Sequence, residues 1–216
     1  SKAHNWNQVC NGGIVCACLA LDCNKELTER LIDKSVKSNA KALKKMYSPE
    51  GNYPEGPGYW SYGTSYQVVM MDALQTCLGH DFGLSDHKCL RNTAKYKLWS
   101  NAPCGRSFNY ADNSPYAVSE MAMWYFAARY NDPSLLYNEL WRIDAGCFFE
   151  KMARTRFLPL IMCFASKVDL SNVQKPSESM YVGYGKAPVA MIHTDWSFSE
   201  TESYLGIKAG RASVNH

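Results

Sequence analysis

Between residues 51 and 66 the chain sets Gly51, Pro54, Gly56, Pro57, Gly58 and Gly63 among Tyr53, Tyr59, Trp60, Tyr62 and Tyr66, with Glu55 as the single charge. No other stretch limits the fold as tightly, because glycine and proline at this density oppose a regular helix and predict a shaped loop. The aromatic residues alternate with that punctuation, so the expected product is a ring-lined surface, not a periodic stripe. Loops of this kind carry binding and catalysis more often than packed elements do. A tightly packed turn with core aromatics is the competing expectation.

Helical patterns flank the stretch. Residues 8–21 are apolar nearly all round, with Gly12 and Gly13 allowing close backbone approach, and predict a buried helix. Residues 25–47 place Ile32, Val36, Leu43 and Met46 at helical spacing and Lys34, Lys37, Lys41 and Lys44 on the other side, which predicts an amphipathic helix with a solvated lysine face. Helical spacing resumes over 65–78 and again over 86–99. Residues 101–113 predict a second shaped loop. Ser114-Pro115 supplies a capping hydroxyl and a first-turn proline, predicting a helix to about residue 129 that buries Val118, Met121, Ala122 and Tyr125. Asp132-Pro133 repeats that device for a helix to about residue 144. A short helix is expected over 147–153, then an apolar segment over 157–162 that Pro159 interrupts. Residues 171–186 read as a Ser/Gly/Pro-rich connector. Residues 189–196 and 203–208 read as strands around a polar turn.

The expected organisation is mainly α. Helical hairpins over 1–165, a connector over 166–186 and the opening strands of a sheet over 187–216 suit a toroid of helical hairpins that runs into a β-region. The abrupt polar start and the stop among strand-like residues predict a piece of something longer.

Composition excludes several classes. A 20% charged content and 46% hydrophobic content belong to a globular chain, and a net charge of +3 gives no case for nucleic acid. No apolar run reaches membrane-span length, and no signal peptide opens the sequence as given. The nine cysteines are odd in number and contain no Cys-x-x-Cys pair, which argues against a zinc ribbon; most are expected to be small buried hydrophobes. No glycine-rich nucleotide loop, serine elbow or His-Glu-x-x-His helix occurs.

The polar residues left over, His4, Asn5, Asn7, Glu55, Tyr62, Asn109 and His216, match β-elimination across a uronic acid. That reaction removes a weakly acidic proton α to a carboxylate. An Asn or protonated acid must hydrogen-bond the carboxylate and stabilise the enolate. A Tyr or His takes the proton, and another returns one to the leaving oxygen.

Three segments carry a resemblance: His4-Asn5-Trp6-Asn7-Gln8-Val9-Cys10-Asn11-Gly12-Gly13, the Glu-Gly-Pro-Gly-Tyr-Trp-Ser-Tyr-Gly run over 55–63, and Phe108-Asn109-Tyr110. Together they resemble heparinase II/III-type polysaccharide lyases. The C-terminal Trp196, the run over 204–210 and Asn215-His216 resemble the entry to that family's β-domain. The resemblance implies an incomplete (α/α) toroid before an antiparallel sandwich, with the site between them. It implies Tyr62 as base or acid, His4 and Asn7 as catalytic histidine and carboxylate-neutralising residue (Asn5 the alternative), and His216 as a further catalytic or substrate-contacting position. Asn5, Trp6, Gln8, Glu55, Tyr59, Trp60, Tyr66, Asn109 and Tyr110 are the implied substrate contacts, although Glu55 is better read as a turn residue capping backbone amides. No cofactor is implied within the chain; a structural zinc-like metal is implied for the rest of the β-domain. The implied partners are an acidic polysaccharide and the remainder of the polypeptide, with oligomerisation left open and no membrane. The implied location is periplasmic or secreted. Because His4 and His216 lie at the two ends, the chain alone is expected to be inactive or nearly so. The rival expectations are a glycoside hydrolase using Glu55, Asp72 or Asp112, and a glycan-binding module without chemistry.

Overall fold

The structure, a computed structural model, describes residues 4–21, 24–146 and 155–210. It is mainly α-helical. Helices α1 (Asn5–Leu21), α2 (Lys25–Met46) and α3 (Gly56–Leu78) pack side by side, with α3 against α1 and α1 against α2. Asn24 caps α2 by accepting a 2.9 Å bond from the Leu27 amide, and Gly79 ends α3 in the left-handed conformation at φ 80°. The α2 lysines at 34, 37, 41 and 44 are exposed as expected, while Ile32, Leu43 and Met46 are buried.

The aromatic stretch is not a loop beyond residue 55. Its remainder, from Gly56 on, forms the first three turns of α3. Pro57 sits in the opening turn, where an amide has no partner within the helix and the proline ring costs nothing. Gly63 stays helical because of what lies against it. A Cβ there would sit 2.3 Å from Gln8 Oε1 and 3.0 Å from the Tyr53 hydroxyl, and one at Gly12 would sit 2.9 Å from the Tyr66 carbonyl oxygen. The two glycines let α1 and α3 approach. Helix α1 is correspondingly one-sided, not buried all round: Val15 and Gln8 are enclosed, but Trp6, Ile14 and Leu21 face out.

Helix α4 (Lys88–Trp99) is followed by a small hairpin, β1 (Asn101–Ala102) and β2 (Arg106–Ser107), inside the expected second loop. Residues 114–120 are extended, so the helix expected from Ser114 begins later, as α5 (Met121–Tyr130). The reason is competition for the backbone. The Pro115 carbonyl accepts from the Ser107 amide and the Ala117 amide donates to Gly105, pairing this segment with the hairpin; the Ser114 hydroxyl serves a local turn at Tyr116. Val118 is therefore exposed, whereas Met121, Ala122 and Tyr125 are buried. A 3-10 turn at Pro133–Leu136 leads into α6 (Tyr137–Asp144), and α7 (Leu158–Ala165) carries Pro159 in its first turn instead of being broken by it. The helix expected over 147–153 lies outside the described residues.

The segment expected to be a connector holds a strand. β3 (Met180–Gly183), β4 (Val189–His193) and β5 (Tyr204–Lys208) form an antiparallel sheet in the order β3-β4-β5. Tyr181 pairs with Met191, and His193 with Tyr204. The inner face, with Tyr181, Val189 and Met191, joins the helical core at Tyr96 and Trp99. Asn52 Nδ2 donates to the carbonyls of Tyr184 and Ala187 at 2.9 Å each, tying the turn before α3 to the sheet. On the outer face Met180, Val182, Leu205 and Ile207 are exposed, and the register sets Val182 and Ile207 either side of Ala190. The described cysteines are free, and only Cys89 is buried; Cys10, Cys77, Cys104 and Cys163 are exposed, against expectation. Cys23 and Cys147 lie outside the described residues.

Candidate functional site

Helical spacing sorts the aromatic stretch into two faces. Tyr59, Tyr62 and Tyr66, three and four residues apart, share the outer side of α3. Trp60 falls on the inner side, fully buried, its indole N–H 2.6 Å from the Thr93 hydroxyl oxygen. Trp60 is thus a core residue and not a substrate contact. Tyr110 is also buried; its hydroxyl meets that of Tyr96 at 2.5 Å and donates to the Tyr53 carbonyl at 3.2 Å. Burial pushes the Tyr96 and Tyr110 phenols up, so neither can act as a base. Gln8 is enclosed as well. It accepts from the Tyr53 hydroxyl at 3.1 Å and donates to that of Tyr47 at 2.6 Å, which in turn meets Thr64 at 2.8 Å. These hydrogen bonds satisfy groups whose burial would otherwise be costly.

The row on the outer side is continuous, with Trp6 and Tyr62 exposed and Tyr66 and Phe157 half-buried. The Trp6 and Tyr62 rings meet edge-on at 6.4 Å, Tyr62 and Tyr66 at 5.4 Å, and Tyr66 and Phe157 at 6.0 Å. Tyr62, 39% exposed, stands between two grooves that both reach Gly58 and Ser61. One of about 370 Å³ runs past Tyr59, Lys97, Asp112, Asn113 and Tyr116; the other, of about 280 Å³, runs past Ser65, Glu120, Thr155 and Phe157. Glu55 behaves as a cap, though for the neighbouring helix: its carboxylate accepts from the Asn5 amide at the start of α1 at 3.2 Å. That bond holds Asn5 and Trp6 against α3, where the Asn5 Cβ lies beside Gly63.

The floor between the grooves is charged, and nothing in the motif reading pointed to it. Lys97 Nζ lies 3.0 Å from Glu120 Oε1 and 3.2 Å from the Ser61 hydroxyl, over the Trp60 ring. Ser61 also hydrogen-bonds Glu120. Lys97 Nζ donates to the Ser61 hydroxyl and pairs with Glu120, and Ser61 is itself bonded to Glu120, so the three form a closed polar network and not a serine–lysine nucleophile. Beneath it, Glu139 Oε1 accepts from the Glu120 amide. Burial and the neighbouring Glu120 carboxylate push Glu139 up to about 7, against the pull of Arg142. The available sequence signal was Lys97 itself, a lysine set among Tyr96, Leu98 and Trp99 at the end of its helix.

The remaining expected residues are dispersed. Asn7 is turned to α2, donating to Ser38 Oγ at 3.1 Å and accepting from Asn11 at 3.0 Å, so it lines neither groove. His4 precedes α1, its carbonyl accepting from the Asn7 amide, and its Nδ1 is buried without a hydrogen-bond partner among the described residues. Asn109 is exposed beyond the hairpin. His216 lies outside the described residues. His193, not singled out by sequence, is enclosed: its Nδ1 meets Glu202 at 2.6 Å and its ring stacks on Trp196 at 3.7 Å. Glu202 also accepts from the Trp196 and Phe198 amides, which makes this pair a turn-former. Among the described residues no group of three or more His, Cys, Asp or Glu is placed to hold a metal ion, and no helix is long and apolar enough to cross a membrane.

Comparison of the sequence with protein-family models and with curated proteins finds no match.

Proposed function

We propose that this chain forms the catalytic-groove portion of a polysaccharide lyase acting on a uronate-containing acidic glycan. The observation that carries the reading is the row of exposed Trp6, exposed Tyr62 and half-buried Tyr66, with the Tyr62 phenol where two grooves meet. Rings at this spacing present apolar faces and edges to successive sugars. In its phenolate form the Tyr62 oxygen takes the proton α to the uronate carboxylate, the C–H electron pair becomes the new C=C bond as the bond to the β-oxygen breaks, and Tyr62 returns the proton to the departing oxygen. Neither asparagine offered for neutralising that carboxylate lines a groove: Asn5 and Asn7 are both buried, and Asn7 is engaged with α2. The outward apolar residues of the sheet, Met180, Val182, Leu205 and Ile207, support the finer fold reading, because a sandwich needs such a face for its second sheet. The pairwise packing of α1 with α2 and α3, and of α5 with α7, suits part of an (α/α) toroid.

The test is an assay of the intact protein on heparan sulfate, alginate and related glycans for the ultraviolet absorbance of the unsaturated uronate. Tyr62→Phe should abolish that signal while leaving the fold unchanged; normal turnover in that variant would remove Tyr62 from the mechanism. Saturated products would favour hydrolysis by Asp112 or Glu120 instead. Binding without turnover would favour a glycan-binding module, a reading to which the dispersal of Asn7 away from the groove lends weight.

A further inference from the structure

We infer that Arg156 is a recognition residue for an anionic substituent, carboxylate or sulfate ester, on a sugar bound beside Tyr62. The inference rests on the glycan reading above but concerns a residue that reading leaves unused. Arg156 is exposed where the aromatic row ends. Its guanidinium carbon lies 5.4 Å from the centre of the Tyr66 ring and 5.2 Å from that of Phe157, held between two rings that meet edge-on. It donates to the Tyr66 hydroxyl at 2.5 Å. Guanidinium has five N–H donors in a rigid plane, and one is spent on Tyr66. Among the described residues no carboxylate lies within ion-pair distance of it. The result is a cation oriented before any ligand arrives, so little rotamer freedom is lost when a planar anion takes the free edge. By contrast Lys97, the other cation near the groove, is already neutralised by Glu120. Phe157 joins the two regions, for it supports Arg156 and also lines the groove that Tyr62 borders.

The experiment measures binding of the intact protein to an alginate oligosaccharide, to a heparan sulfate oligosaccharide, and to desulfated and carboxyl-reduced forms of the latter. Arg156→Ala should weaken binding of the anionic glycans roughly ten- to hundredfold and flatten its dependence on salt, with the form lacking the recognised anion unaffected. Arg156→Lys should recover only part of the loss, since a point charge lacks the planar fork. The carboxyl-reduced and desulfated forms tell which anion is read. Unchanged affinity in Arg156→Ala overturns the assignment while leaving the glycan reading intact. Binding without elimination overturns the lyase reading and leaves Arg156 standing. Failure of the unsubstituted protein to bind any of these glycans overturns both.

Discussion

The two sides of α3 both carry aromatic residues and serve opposite ends. On the inner side Trp60, Thr64 and Gln67 are enclosed and each has a hydrogen-bonded partner: Thr93, Tyr47 and Asn39. On the outer side Tyr62 and Tyr66 meet other rings at their edges, and Tyr59 and Tyr62 border open grooves. An aromatic residue in this helix is therefore structural or available according to its place around the axis, not its identity. Proximity in sequence is a poor guide here: Trp60 and Tyr62 are two apart and face different solvents.

That contrast can be broken from either side. Trp60→Ala should cost about 3–5 kcal/mol of stability, read from chemical denaturation, while Trp60→Phe keeps much of the volume and should leave glycan turnover per folded molecule close to normal. Tyr62→Phe should do the reverse, lowering kcat by about 10²- to 10⁴-fold with an unchanged unfolding midpoint. A pH series probes the charged layer between the two sides. Glu139 holds its proton up to about 7 in the folded chain but releases it near 4.5 when unfolded. The folded state binds more protons within that window, so stability is greatest below it and falls as pH rises through it, by up to about 3 kcal/mol. Glu139→Gln should flatten the slope between pH 5 and pH 8; a slope equal to that of the unsubstituted protein would show that Glu139 does not titrate there. The smallest effect is expected of Gly63→Ala, about 1–3 kcal/mol, because the new methyl would meet Gln8, whose bonds to Tyr47 and Tyr53 prevent it from swinging aside. A neutral result there would mean that α1 and α3 can separate without loss.

The helices with clean periodicity, α2 above all, were legible from the sequence, as were the strands at Val189 and Tyr204. Glycine and proline misled at Gly56, where they open a helix and admit a close neighbour instead of forming a loop. Ser114-Pro115 misled for a different reason: its helix-starting chemistry was overridden by pairing with the hairpin, a partner distant in kind from any local signal. Within the site, Tyr62 and its neighbours could be named because they fall in one short segment. Lys97, Glu120 and Arg156 could not, since each comes from a different element and only packing brings them to α3. Asn5, Asn7 and Gln8 sit beside Trp6 in sequence, yet a helix turns each residue by about 100° from the last, and that rotation carries them inward while Trp6 stays out.

The same rotation bears on how this surface can change over evolution. A row of rings carried by a loop tolerates insertions, because the chain absorbs them locally. Here the row is ruled along one helix, rising about 1.5 Å per residue, so Tyr59 and Tyr66 are spaced by the backbone itself. One residue inserted between Tyr59 and Tyr62 would swing everything beyond it by a quarter-turn or more, sending Tyr62 into the place of buried Gly63, Tyr66 into that of buried Gln67, and Ser65 out into the place of Tyr66. The groove can therefore vary by exchanging side chains but scarcely by changing length, and its step size is inherited from the α-helix.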